Sequence, residues 1–319
     1  MIKEFYSFPV VLSGVGKILL LIGFGFALSA FKIIKKGMLN GLSAFLLWIC
    51  LPSLFFVKLT SFFDAAEFPT WWVLPIGAVV MGFAGLGVGY LAQLPLKECG
   101  ARREFMASCA FQNCGYLPLA FIAFTTTGAL REELLIYIFL FLLGFNLNLW
   151  FFVPAFLARE EASLRTTREA ILNPPMISMA IALISVSILG KGWLPHVVAA
   201  PLKIVGNTSF PLSLILLGLS LEIHKGYRLR SWSELGMCLF VKLLLFPFLA
   251  LPILFLIPLH ETDRFILLLE TTMPVAVTLI LIGHYKNANN AFLSASIFYS
   301  HLFAILTVPL WLFVFSFMF

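Results

Sequence analysis

Asn113-Cys114-Gly115-Tyr116-Leu117-Pro118 interrupts a stretch otherwise apolar enough to form one membrane-crossing helix, and Thr271-Thr272-Met273-Pro274 interrupts a second about half a chain later. Proline brings no backbone N–H, and hydrocarbon offers no water to replace the missing bond. Breaks at bilayer depth are tolerated only where they line a cavity or pack inside protein. Paired interruptions in corresponding halves of a chain point to the binding site of a secondary transporter.

The rest of the chain fits that frame. Of 319 residues, 61% are hydrophobic and 11% charged, which excludes a soluble domain. We read ten spans of about 20 residues each, the length that crosses a bilayer. They run over roughly 11–31, 39–58, 71–94, 105–126, 134–158, 174–191, 201–222, 233–257, 264–284 and 292–316. The fold class expected is an all-α integral membrane protein with no soluble domain. The first apolar run has no small-residue cleavage site and reads as a span, not a signal peptide. Cys50, Cys99, Cys109, Cys114 and Cys238 show no metal spacing and read as small hydrophobes in helix packing. No metal or organic cofactor is expected.

The net charge of +6 does not point to nucleic acid, because its distribution follows the membrane. Lys32, Lys35, Lys36, Lys97, Arg102, Arg103, Arg159, Arg165, Arg168, Lys225, Arg228, Arg230 and Lys286 fall on one side of the ten-span reading. Lys3, Lys58, Arg131, Lys191, Lys203 and Arg264 fall on the other, several beside acids. Positive residues stay inside, so both termini are expected outside or in the periplasm of a cell (inner) membrane. Trp71, Trp72, Trp193 and Trp232 lie near span ends, as interfacial anchors do.

The halves share punctuation. Pro52 in Leu51-Pro52-Ser53-Leu54 and Pro211 in Phe210-Pro211-Leu212-Ser213-Leu214 are 159 residues apart; Pro118 and Pro274 are 156 apart. Nearly one offset from two landmarks predicts a five-span repeat, residues 1–158 and 159–319. Because five is odd, the second copy enters from the opposite side, an inverted 5+5 arrangement with crossing breaks in spans four and nine.

A broken helix exposes N–H groups at one half-helix start, which suit an anion, and carbonyls at the other half's end, which suit a cation. Two such N-termini meeting at a crossing would hold a carboxylate without a buried arginine. Asn113 adds an amide, Gly115 lets the crossing segment approach, and Thr271, Thr272 and Thr278 supply hydroxyls around Pro274. Asn113 also fits a role as interhelical glue, and the threonines can bond their own helix's carbonyls. Gln112 points elsewhere on the helix and is read as repairing freed backbone groups. Deep charges are few, each costing about 2.5–3.5 kcal/mol to insert. Glu270 and Lys242 are the two, able to pair between adjacent spans; Glu270 is also the candidate proton carrier. His301 reads first as a buried, hydrogen-bonded histidine.

These motifs in this order resemble the auxin efflux carrier family, whose prokaryotic members include malate and malonate permeases. Ile22-Gly23-Phe24 with Leu51-Pro52-Ser53-Leu54-Phe55-Phe56 is similar to its opening helix pair, and Gln112 through Leu119 to its broken span four. Asn173-Pro174-Pro175, Phe210 through Leu221, Lys242 with Pro247, and Met273-Pro274-Val275-Ala276-Val277 resemble spans six to nine. The resemblance implies ten spans, a scaffold bundle against which a transport bundle moves, and organic-anion substrates. By it, Asn113 matches the family's span-four asparagine, and Pro118 and Pro274 its crossover prolines. Together with the residues read above, the expected substrate site is Asn113, Cys114, Gly115, Pro118, Thr272, Pro274 and Thr278, with Glu270 and Lys242 the candidates for proton or sodium coupling. Cys114 replaces the family's usual threonine, and Thr278 stands where many members have a second asparagine. The long loop of the plant hormone exporters is absent. The reading is a secondary transporter of a small organic anion, with lipid around it and a homodimer left open. Its rivals are a sodium-coupled symporter of the bile-acid type and a non-transporting ligand sensor. No nucleophile–base pair or metal cluster supports an enzyme.

Overall fold

The chain was analysed as a computed structural model, which describes residues 8–34, 36–96, 100–157, 173–224, 231–286 and 288–318. Lys3, Lys35, Lys97, Cys99, Arg159, Arg165, Arg168, Lys225, Arg228 and Arg230, used in the charge and cysteine readings, lie outside these residues.

Helix α1 spans Phe8–Ala30. Helix α2 (Lys36–Phe45) runs through a π-helical turn (Leu46–Cys50) into α3 (Leu51–Phe62). Then come α4 (Val73–Gln93), α5 (Arg102–Ala110) and α6 (Tyr116–Thr125). Helix α7 (Gly128–Leu147) continues through a π turn (Asn148–Phe152) into α8 (Val153–Leu157). After α9 (Pro174–Leu189), α10 (His196–Asn207) and α11 (Ser209–His224) form one rod. Helix α12 (Trp232–Phe240) passes through a third π turn (Val241–Leu245) into α13 (Phe246–Leu256). The chain ends with α14 (Glu261–Thr271), α15 (Thr278–Tyr285) and α16 (Asn290–Ser316). Among the described residues, seven continuous helices are long and apolar enough to cross a membrane. The two breaks read from the sequence are present: α5 stops before α6, and α14 before α15.

Local chemistry explains the boundaries. Ser231 and Glu234 match the capping-box spacing, and the Ser231 hydroxyl accepts the Glu234 N–H at the start of α12. Asn289 caps α16 through the Phe292 N–H. Helix α7 starts at Gly128, six residues ahead of the predicted span. Its charged first turns are accommodated because Glu132 pairs with Lys58 of α3. Each π turn ends two residues before a proline: Pro52, Pro154 and Pro247. Proline lacks an N–H and crowds the carbonyl four residues back, and a widened turn moves that carbonyl aside. For Pro247 that carbonyl belongs to Leu243, and the Trp311 indole N–H donates to it at 2.8 Å.

Packing sorts the helices into two groups. Helices α1, α3, α9, α10 and α11 pack on one another; α4, α5, α7, α12, α14 and α16 form the second body, and α6 bridges both. Helices α1 and α11 cross with their backbones touching, because Gly25 and Gly218 bring no side chain to the crossing. A Cβ on Gly218 would collide with the Ile22 carbonyl. Gly218→Val is expected to lower stability by about 1–3 kcal/mol or more, the usual cost of overpacking; thermal unfolding in detergent would show it, and an unchanged transition would refute the contact.

Candidate functional site: the helix crossover

The two breaks meet. Gln112 and Val275 form an antiparallel bridge, flanked by the Asn113 N–H donating to the Pro274 carbonyl (2.7 Å) and the Ala276 N–H to the Phe111 carbonyl (2.9 Å). Two peptide groups of each interruption are thus satisfied by the other, as hydrocarbon requires. Helix α16 fastens the crossover through consecutive residues. The Val275 N–H donates to the Ser300 hydroxyl at 3.1 Å, and the His301 ring meets the Asn113 side chain at 3.0 Å.

Beside the crossover lies a cavity of about 110 Å³, roughly an order of magnitude above what one water needs. Asn113, Cys114, Gly115 and Thr278 of the predicted set line it, with the starts of α6 (Tyr116) and α15 (Val277) on the same wall. Both half-helix N-termini therefore face one space, each carrying about half a positive charge. Pro118, Thr272 and Pro274 are not on that wall. Pro274 acts through its carbonyl, and the Thr272 hydroxyl donates to Leu269 of its own helix at 2.7 Å. Thr271 does the same to Leu268 at 2.6 Å. These threonines finish α14 in place of presenting hydroxyls to a ligand.

Glu270 and Lys242 stand apart from the wall, both fully buried. They are not in ion-pair contact. The Lys242 ammonium donates to Gln112 Oε1 at 3.5 Å and lies over the Phe246 ring. Gln112 thus serves a buried cation, not the freed backbone. Neither Glu270 carboxylate oxygen has a hydrogen-bond partner among the described residues. Those residues contain no cluster of three or more His, Cys, Asp or Glu side chains able to hold a metal ion.

Gln112, which the sequence reading turned elsewhere on the helix, also lines the cavity, and so do Asn146, Trp150 and Asn173, which were not singled out as site residues from the sequence. Asn146-Leu147-Asn148 was the available signal, two amides inside an apolar run. Asn148 turned out structural, its amide donating to the Ala78 and Val79 carbonyls of α4.

Among the described residues, seven long apolar helices accompany a pair of interlocked helix breaks, an arrangement that suits a membrane transport protein. A family described as membrane transport protein matches residues 10–162 and 159–312. The chain belongs to it, the auxin efflux carrier family whose motifs the sequence resembles. It is also similar to an uncharacterised transporter of Methanocaldococcus jannaschii, at 24% identity over 92% of this chain and 95% of that protein.

Proposed function

We propose that the protein carries a small organic anion, a carboxylate, across the cell membrane by alternating access, with the anion held at the crossover. The observation carrying this is the convergence of two half-helix N-termini and Asn113 on one cavity. An anion there meets backbone N–H groups and an amide donor without a neutralising side-chain charge, so it can leave as well as bind. Ten spans as an inverted repeat of residues 1–158 and 159–319 account for the two matching breaks. The packing into two bodies supplies a scaffold and a moving part. With both termini outside, the start of α9 and the end of α7, which line the cavity through Asn173, Pro175 and Asn146, belong to the cytosolic side. Glu270 is the proton carrier of this scheme, with Lys242 the compensating cation.

Uptake of labelled malonate, malate, succinate and lactate into proteoliposomes tests the reading, at imposed pH gradients and with sodium present or replaced by choline. Saturable uptake that follows the pH gradient and is unchanged in choline is expected. Loss of uptake in choline would establish the sodium symporter in its place. Binding without flux would make the protein a sensor.

A further inference from the structure

The two ring nitrogens of His301 have partners that determine what Asn113 shows to the cavity. Nδ1 lies 2.8 Å from the Ile297 carbonyl. A carbonyl only accepts, so Nδ1 carries the proton, and in the neutral ring Nε2 offers a lone pair. Asn113 must answer it with its NH2 group, at 3.0 Å. The other end of the same amide is fixed independently: the Tyr116 N–H donates to Asn113 Oδ1 at 3.2 Å. An amide held at both ends cannot turn over. One Nδ2 hydrogen remains, on a residue that lines the crossover cavity.

His301 itself lines a different cavity of about 40 Å³, between α1, α6 and α16. The two cavities share no lining residue, and the Asn113–His301 bond joins a wall of one to a wall of the other. The residues around the second cavity, including Ile18, Ile22, Leu117, Phe121 and Met273, are apolar, so the imidazole has no competing polar partner from them.

We propose that His301 is the positioning residue of the substrate site: by accepting from Asn113 across the crossover, it holds that amide with a donor turned toward the cavity and so selects ligands with an acceptor, such as carboxylates. This rests on the carboxylate-carrier reading, and the two are separable by experiment. His301→Phe removes the acceptor but keeps a ring; His301→Gln restores an acceptor through its amide oxygen, and its NH2 can still serve the Ile297 carbonyl. With malonate and malate as probes, His301→Phe is expected to raise KM about five- to tenfold, the worth of one buried hydrogen bond. The maximal rate and the thermal transition in detergent should stay near wild type. His301→Gln should bring KM back to within about threefold of wild type, inside that same range. Equal KM in wild type and His301→Phe, or a glutamine variant no better than phenylalanine, would overturn the proposal. Nitrogen-15 NMR of the ring provides a readout without flux. The Nδ1–H form is expected, with the Nε2 resonance moving in Asn113→Ala; a doubly protonated ring, or an unmoved Nε2, would sink the pairing. If wild type transports neither probe but Nε2 moves, the pairing stands while the carboxylate reading, and the selectivity drawn from it, falls.

Discussion

Asn113→Ala is expected to abolish uptake while leaving a folded protein. The backbone bond from residue 113 to the Pro274 carbonyl does not depend on the side chain, so the crossover persists. What disappears is the amide that joins Tyr116 N–H, His301 and the cavity. Two buried groups lose partners, costing about 1–3 kcal/mol each before water or relaxation compensates. The remaining donor toward an anion is lost as well, and a hydrogen bond to a charged group is worth about 1.5–3 kcal/mol. Together these predict at least a tenfold fall in kcat/KM, roughly 1.4 kcal/mol or more. Uptake assays paired with thermal unfolding check it. Wild-type uptake by this variant would remove the site assignment altogether.

The second large effect concerns the buried charges. Lys242→Met deletes the cation whose field reaches Glu270, a carboxylate with no hydrogen-bond partner among the described residues. Removing one member of a contacting buried ion pair costs about 3–5 kcal/mol, chiefly because the other is left uncompensated, and Lys242→Met is expected to cost less than that because the two groups are not in contact. Glu270→Gln is expected to cost less, since Lys242 keeps Gln112. The double variant should recover most of the stability lost in Lys242→Met, as apolar or neutral replacements of whole pairs do. If the double variant is no more stable than Lys242→Met alone, the two charges are not coupled. Transport separates the roles further. Glu270→Gln should still exchange labelled for unlabelled substrate, but should fail to accumulate it down a pH gradient. Normal accumulation by that variant would end the proton-carrier assignment.

Much of the fold was legible because a bilayer leaves few options. Pro118 and Pro274 announced the breaks, since only protein can satisfy a peptide group where lipid cannot. Helix ends were less legible, and α7 shows why: it begins at Gly128, before the predicted bound at 134, and the Glu132 in that added turn is paired by Lys58 from a distant helix. Of the residues read as the site, some reach the cavity and some do not, for a similar reason. Asn113, Cys114, Gly115 and Thr278 reach the cavity because they sit at half-helix starts. Thr272 does not, because at the last turn of α14 its hydroxyl is drawn to its own helix's carbonyl. The partners of Asn113 and Lys242 lie 188 and 130 residues away along the chain. No local spacing encodes such a meeting.

The bridge between Gln112 and Val275 is built from peptide groups, and that bears on how such proteins diverge. A link written in main chain is the same for nearly every amino acid at the bridged positions, so mutation can explore the side chains around it without cutting it. Descent can then alter cavity walls, and with them the cargo, while the central tie is inherited unchanged. The relative at 24% identity over nearly the full chain is the kind of distance at which that distinction matters: similar architecture is a fair inheritance, and similar cargo is not.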